Sequence, residues 1–418
     1  METIVGDGLT LSQFEGSAHP GARAWAAAVE MGFNAKQPSE KRLDSLVRLL
    51  DEDGFVATEV IADSDRTGMP VGTYGYFWSR VNLGAATVKS GMITVVTVRP
   101  SFKRRGIMRA MMELNLRQIA DQGAALALLT ASDARLYGRF GFQNVIAEAG
   151  VTVDPKRFQL RPTALPTVDW VLRDKLFDQV ERLSHEAHAL HRGSTWRGKG
   201  YEIEHFTDAE SGDFDAKYRG LICYDAADAP CGYAVFSFND EGSKIEVRDM
   251  DALSDEAELA LWNHLASIEG VSEIKFSNFF LSSPLRLALE DPRAVNVTSL
   301  RDLLWARVLD VEACFAARSY TLGTRLSATF RVDDPLGFTS GAYRVQLDED
   351  GATVEKLAED TPVDATVSAN ALAELVFSSS SVANLRAAGL IEGLSDEGAQ
   401  RWESLFAPAS PATFRNYF

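Results

Sequence analysis

Apolar positions along this chain recur with two different periods, and their alternation predicts a mixed α/β architecture. Leu43, Leu46, Val47, Leu49 and Leu50 fall on one side of a helix over Ser39–Asp51, with Ser39 a ready N-cap after Pro38. Phe55–Ile61 and Pro70–Arg80 read as strands, separated by the polar turn Asp63-Ser64-Asp65-Arg66-Thr67-Gly68. Met92–Val98 is a compact β-branched run, the mark of a buried strand. A short polar loop, Arg99–Arg105, follows. Ile107, Met108, Met111, Ile119 and Ala120 then stand at helical spacing over Gly106–Gln122, and Ala124–Leu129 is a further strand. The unit is strand–loop–helix–strand, with a basic cluster in its first loop.

Pro155, Pro162 and Pro166 mark a change of unit. Beyond them helical and strand patterns mix again, with a helix over Glu256–Ile268 and a strand over Glu273–Phe280. From about Arg307 the texture shifts once more. Short strands (Arg325–Val332, Ala342–Leu347, Ala365–Ser368) lead into short helices (Ala369–Phe377, Ser381–Ala388, Asp396–Phe406). A chain of 418 residues exceeds a single core, and the expected units are 1–154, 155–306 and 307–418.

Composition narrows the function classes. Apolar residues make up 46% and charged residues 24%, a globular balance. The net charge of −17 argues against nucleic acid or an anionic membrane as partner and suits a cationic small molecule. Cys223, Cys231 and Cys314 form no CxxC pair and cannot close a disulfide framework, so reduced, structural thiols are expected. Met1–Asp7 lacks a basic n-region and an apolar h-region, and no apolar run is long enough to span a bilayer. A cytoplasmic location is the expectation.

Against this acidic background, Lys103, Arg104, Arg105 and Arg109 place four cations within seven residues. They stand where a strand hands over to a helix N-terminus, whose backbone N–H groups lack intrahelical partners and carry the positive end of the helix dipole. Together these make an anion site suited to a pyrophosphate. Gly106 lets the backbone come close to such a group. A solvated basic turn is the plainer reading of the charge alone.

A second motif, Leu136-Tyr137-Gly138-Arg139-Phe140-Gly141-Phe142, follows the next strand. The order strand, Arg104-Arg105-Gly106, helix, strand and this motif resembles the GNAT acetyltransferase superfamily. Within it the chain resembles the Eis (enhanced intracellular survival) type, three-domain enzymes that acetylate aminoglycosides. Lys103-Arg104-Arg105-Gly106-Ile107-Met108 departs from the general phosphate signature, Arg/Gln-x-x-Gly-x-Gly/Ala, at its first and last positions, although a bulky last residue resembles the Eis type. Leu303–Val311, Ala317-Arg318-Ser319-Tyr320 and the aromatic end Asn416-Tyr417-Phe418 are similar to the same family.

The resemblance implies tandem GNAT-like domains, the second without the coenzyme motif, followed by a sterol-carrier-protein-like α+β domain. It implies acetyl-CoA as co-substrate, no metal, a polycationic amine acceptor with aminoglycosides foremost, and a homohexamer built as a trimer of dimers. Residue by residue, it places Val96, Thr97 and Val98 on the pantetheine arm. Arg104, Arg105, Gly106, Ile107, Met108 and Arg109 would cradle the pyrophosphate, and Ser132 and Asp133 would contact the coenzyme. Tyr137 would be the general acid and the terminal carboxylate of Phe418 the general base. Direct acetyl transfer needs a neutral amine, stabilisation of the oxyanion by a backbone N–H near Val96, and a proton for the leaving thiolate. A tyrosine, with a usual pKa near 10, can protonate a thiolate whose conjugate acid lies near 8.5. A free α-carboxylate, near 3.5, acts as a base only if burial raises it or a water intervenes; otherwise it holds the substrate ammonium. An acyltransferase for protein lysines or polyamines, and a non-catalytic sensor or lipid carrier, are the competing classes.

Other signals weigh less. Arg197-Gly198-Lys199-Gly200 mimics a coenzyme loop, but no apolar strand precedes it and Tyr201–Phe206 reads as extended. His185, His188 and His191 recur on a predicted helix, one residue short of the H-E-x-x-H zinc spacing, and read as a polar face or part of a substrate wall. Trp25, Phe33, Phe77 and Trp78 read mostly as core, with one or two available to line a pocket. Asp51-Glu52-Asp53 reads as a solvated turn.

Overall fold

The computed structural model describes residues 1–418 apart from 1–2, 7, 34–36, 209–213, 240–241, 322–324 and 350. Its centre is one continuous sheet of thirteen strands. From one edge the order is Thr3–Gly6, Leu9–Glu15, Val56–Ala62, Gly72–Asn82, Thr87–Val98, Leu126–Leu129, Val295–Val308 and Gln143–Val153. It continues through Glu273–Phe279, Lys244–Ala252, Pro230–Phe238 and Tyr218–Tyr224 to Thr167–Val171 at the far edge. Neighbours are antiparallel except at two places: Thr87–Val98 runs parallel to Leu126–Leu129, and Lys244–Ala252 runs parallel to Glu273–Phe279.

The helix Ile107–Asp121 packs on the first part of the sheet, with Met111, Met112, Leu116 and Ile119 fully buried against Leu9, Val60, Tyr74 and Ile93. Gly91 permits this approach, since a Cβ there would stand 2.7 Å from Ile119 Cγ2. The helices Ala22–Gly32 and Glu40–Leu49 form a separate core around Trp25, Leu46 and Phe55. In the middle unit, the helix Asp255–Ser267 covers the sheet with Leu261, Trp262 and Leu265.

The strand Val295–Val308 inserts between Leu126–Leu129 and Gln143–Val153, so by its pairing it completes the first unit's sheet. The sequence boundary at 306 falls inside this strand. Just beyond it, the buried Arg307 guanidinium donates to Asp334 at 2.6 Å and ties the sheet to the third unit. That unit is a five-stranded sheet carrying the helices Ala369–Phe377, Val382–Ala387 and Asp396–Leu405. Among the described residues, no helix is long and apolar enough to cross a membrane.

Two expectations need correction. Tyr201–Phe206 is not extended: Lys199–Phe206 is a helix. The alternation Tyr-Glu-Ile-Glu-His-Phe suggested a strand, but tertiary packing overrides it. Phe206 is buried against Phe177 and Phe214, and one helical face aligns Arg197, Tyr201 and His205, with Arg197 4.2 Å above the Tyr201 ring. Asp51–Asp53 is a turn, but only Asp51 is exposed and caps Ser17 N; Glu52 and Asp53 line a cavity. Asp53 adopts a positive φ of 52° and accepts from Gly200 N at 3.2 Å, which draws the turn inward.

Ser39 caps the helix Glu40–Leu49, its hydroxyl accepting from Arg42 N at 3.2 Å. Ser39→Ala is expected to cost about 1 kcal/mol of stability, read as a lowered denaturant midpoint with an unchanged slope.

Candidate active site

The site begins with a defect in the strand Thr87–Val98. Its register with Gly72–Asn82 steps from Thr73↔Thr97 to Gly75↔Thr94, so Val95 and Val96 together oppose Tyr74. This is a β-bulge. Val95 stands at φ 50°, a conformation costing a β-branched residue of the order of 1–3 kcal/mol. Thr73 Oγ1 holds it by donating to Val95 O at 2.9 Å. On the other side, parallel pairing with Leu126–Leu129 stops at Ile93↔Leu129. Beyond that point the two strands part, and Thr94–Val98 lose their neighbour on that side.

The end of the chain reaches this opening. Thr130 Oγ1, one residue past the last paired Leu129, donates to Phe418 O at 3.0 Å. The Phe418 ring meets Phe77 and Phe414 edge-on at 5.8 and 6.1 Å. Tyr417 OH donates to Glu148, a buried carboxylate that also accepts from Asn278 at 3.0 Å and Arg301 at 2.9 Å. His205 supports Tyr417 from the other side. Its Nδ1 accepts from the Arg248 guanidinium at 2.6 Å, so the proton sits on Nε2, which donates to Tyr417 O at 2.7 Å. Burial and then Arg248 bring the His205 pKa down to about 4, keeping that tautomer neutral.

Two cavities meet at this point. One, of about 370 Å³, is lined by Val96, Ser132, Tyr137 and Phe418. The other, of about 420 Å³, is lined by Trp25, Phe33, Phe55 and Phe77, with Glu30, Glu52, Asp53 and Glu204 among them. They share Phe33, Thr94, Val95, Tyr417 and Phe418. Both volumes lie in the range of small-molecule sites. Arg42 joins two of the acidic groups, Glu30 at 3.1 Å and Glu204 at 3.3 Å. Trp78 stands apart under Lys89, 3.9 Å from its ring. The Tyr137 hydroxyl is pushed up to about 12 by burial and then by the Asp133 carboxylate, so it holds its proton throughout the neutral range.

The remaining predicted residues continue outward from this point. Thr97 Oγ1 lies 2.7 Å from Thr73 Oγ1, and Val98 packs on the core of the first unit. Lys103, Arg104, Arg105, Gly106 and Arg109 are exposed, Ile107 is buried and Met108 half-buried. None of the four cations forms an ion pair among the described residues. The loop passes through the left-handed region at Arg104 (φ 64°) and at Gly106 (φ 80°), the N-cap of Ile107–Asp121. No side chain caps that helix, its first turn carries no acid, and a Cβ on Gly106 would meet nothing within 4 Å. The backbone there is open to an anion. Asp133 is paired with Arg135 at 3.0 Å and is not among the residues lining the cavity that Ser132 lines.

Sequence reasoning missed the middle unit's share of the second cavity: Thr195, Trp196, Arg197, Tyr201 and His205. The Arg197-Gly198-Lys199-Gly200 run was a signal for this segment, but as a wall rather than a phosphate loop. Arg197 is buried and paired with Asp249 at 2.7 Å. The three spaced histidines take separate partners: His185 on Arg197 O, His188 on Ser194 Oγ and His191 on Ala252 O. Among the described residues, no group of three or more His, Cys, Asp or Glu is placed to hold a metal ion.

Comparison with known proteins gives this geometry its family. Residues 21–145 and 189–308 each match an acetyltransferase (GNAT) domain, and 311–414 match a sterol carrier protein domain. The chain is 30% identical to an uncharacterized N-acetyltransferase of Streptomyces griseus over 78% of its own length and 81% of that protein. It is 26% identical to N-acetyltransferase Eis of Mycobacterium tuberculosis over 57% and 59% of the two chains. In fold it superposes on Eis1 of Mycobacterium abscessus with a TM-score of 0.82, at 24% identity, covering 98% of this chain and 100% of that one. The tandem GNAT domains, the sterol-carrier-type third domain and these relatives establish that the chain belongs to the Eis-type GNAT family and is an N-acetyltransferase.

Proposed function

We propose that this enzyme transfers the acetyl group of acetyl-CoA directly to a primary amine of a cationic small molecule, with Tyr137 as general acid and the Phe418 α-carboxylate as general base. The observation that carries the reading is the meeting of the two cavities at Val95 and Phe418, with Tyr137 lining one of them. The coenzyme supplies the activated acetyl thioester, and the residues present fit it. Val96, Thr97 and Val98 leave the splayed strand toward the pantetheine arm. Arg104, Arg105, Gly106, Ile107, Met108 and Arg109 offer unpaired guanidinium groups and free helix-start amides to the pyrophosphate. Ser132 lines the same cavity, and the Asp133 carboxylate supports its loop by capping Arg135 N at 3.1 Å.

The chain's own residues then perform three tasks. The Val96 backbone N–H, at the bulge, would meet negative charge developing on the acyl oxygen. Tyr137 Oη gives its proton to the leaving sulfur. The Phe418 carboxylate takes the proton of the attacking amine or holds the ammonium until it is lost. Glu30, Glu52, Asp53 and Glu204 favour a cationic acceptor, and aminoglycosides, which the resemblance puts foremost, are the first class to assay. The homohexamer and the cytoplasmic location belong to the same proposal.

Thiol release from acetyl-CoA, followed over aminoglycosides, polyamines and lysine peptides, tests the reading. Acetylation of lysine peptides alone would assign the acceptor to protein. For the coenzyme site, Arg104→Ala with Arg105→Ala is expected to raise the acetyl-CoA KM about tenfold. The thermal midpoint should hold, because both side chains are exposed and without ion pairs among the described residues. An unchanged KM would remove the loop from coenzyme binding.

A further inference from the structure

We infer that the middle domain's own strand splay is a peptide-binding cleft whose ligand is the chain's tail at Phe414–Tyr417, and that this cleft sets where the Phe418 carboxylate stands; this rests on the reading that the carboxylate takes part in the transfer.

The middle domain repeats the defect of the first. Lys244–Ala252 shifts register against Pro230–Phe238 between Val235↔Asp249 and Phe236↔Val247, so Arg248 is the extra residue of a bulge. Its parallel pairing with Glu273–Phe279 ends at Val247↔Phe276. A bulge followed by the parting of two parallel strands is the arrangement at Val95 and Leu129. There, however, the opening faces an anion-ready helix start. Here the helix Asp255–Ser267 has its first amides closed by Ser254, whose hydroxyl accepts from Ala257 N at 3.2 Å, and its first turn carries Asp255, Glu256 and Glu258. Those carboxylates answer the helix dipole and repel a phosphate. The second splay is not built for a nucleotide.

The tail fills it. Asn278, two residues past the last paired Phe276, donates to Phe414 O at 3.4 Å, and its own carbonyl accepts from Arg415 at 3.2 Å. On the facing strand Arg415 meets Asp251 at 3.5 Å, and its guanidinium lies 5.0 Å over the Phe280 ring. Arg197, fixed by Asp249, donates to Arg415 O at 2.6 Å and to the Asn416 side chain. The tail is thus held by side chains on both sides of the middle splay: Asn278 of one strand bonds its backbone directly, Arg197 bonds it while anchored to Asp249 of the other, and the Arg415 side chain bridges the two strands. Four residues after Phe414 sits in this splay, Phe418 O meets Thr130 in the other. The duplicated domain has kept the gap and given it to a peptide of the same chain.

The test uses the full chain, with Arg415→Ala and Asn278→Ala, neither of which lines the two active-site cavities. Release of Phe418 by a carboxypeptidase from the native enzyme should quicken, because local opening of the tail becomes easier. The kcat for amine acetylation should fall about tenfold as the carboxylate is displaced, while the acetyl-CoA KM stays constant. Arg415→Lys, which keeps the charge opposite Asp251, should recover part of both. Parent-like release of Phe418 with parent-like kcat would overturn the cleft. Fast release with unchanged kcat would instead overturn the catalytic reading of Phe418, and with it the setting role.

Discussion

Tyr137→Phe is expected to lower kcat about 10²–10³-fold, the usual scale for a lost proton donor. The substitution removes one hydroxyl and leaves the ring in place against Phe142, 6.2 Å away. Coenzyme affinity and unfolding midpoint should therefore stay near those of the parent. The pH profile provides a second reading. With its pKa pushed up to about 12 by burial and then by Asp133, the hydroxyl remains protonated through the neutral and mildly alkaline range. The parent should show no alkaline loss of activity near pH 10 from this group. Near-parent turnover in the variant, with chemistry shown to limit the rate, would assign the proton to water or another donor.

The second large effect concerns the α-carboxylate of Phe418. A C-terminal extension, or a semisynthetic Phe418 α-amide, replaces that carboxylate with a neutral amide that accepts no proton from the amine. Deleting Phe418 keeps a carboxylate but leaves it up to about 3.5 Å short. Since a misplacement of about 1 Å can cost on the order of 10²-fold, each change should reduce acetylation by at least that much. The acetyl-CoA KM should not move, because the cations of Lys103–Arg109 are untouched. The α-amide is the sharpest variant, as it preserves the ring contacts with Phe77 and Phe414. Full activity in the amide would leave Phe418 as an aromatic plug and nothing more.

The proposed coenzyme side of the site could be read from the sequence because it is local. A β-branched strand, four cations and a glycine at a helix start lie within one stretch, and each property follows from residue type and period. The Ser39 cap and the helix Ile107–Asp121 were readable for the same reason. The acceptor side was legible only in part: Trp25, Phe33 and Phe418 were candidates, but the cavity also takes Glu52 from a turn and Tyr201 and His205 from another domain. Glu52, Tyr201 and His205 have no sequence neighbour that signals such a place. Two errors share a cause. Alternation in Tyr201–Phe206 and charge in Asp51–Asp53 are local patterns, and packing outside each segment reversed them both, Phe206 being buried against Phe177 and Phe214 and Asp53 meeting Gly200. The twin splay in the middle domain was also hidden, since a bulge is a matter of register between strands and leaves no mark on one of them alone.

The course of the tail has a consequence for biosynthesis. The proposed acetyl-transfer site draws on Val95, Tyr137, the segment Thr195–His205 and Asn416–Phe418 at once. The first domain's sheet is complete once Val295–Val308 has been made, whereas the acceptor cavity still lacks the wall that Asn416–Phe418 supplies. On the proposed reading, activity therefore requires the tail at Asn416–Phe418 to be docked between the domains. On the proposed reading, copies that end between residues 308 and 416 would keep the coenzyme loop but not the acceptor wall.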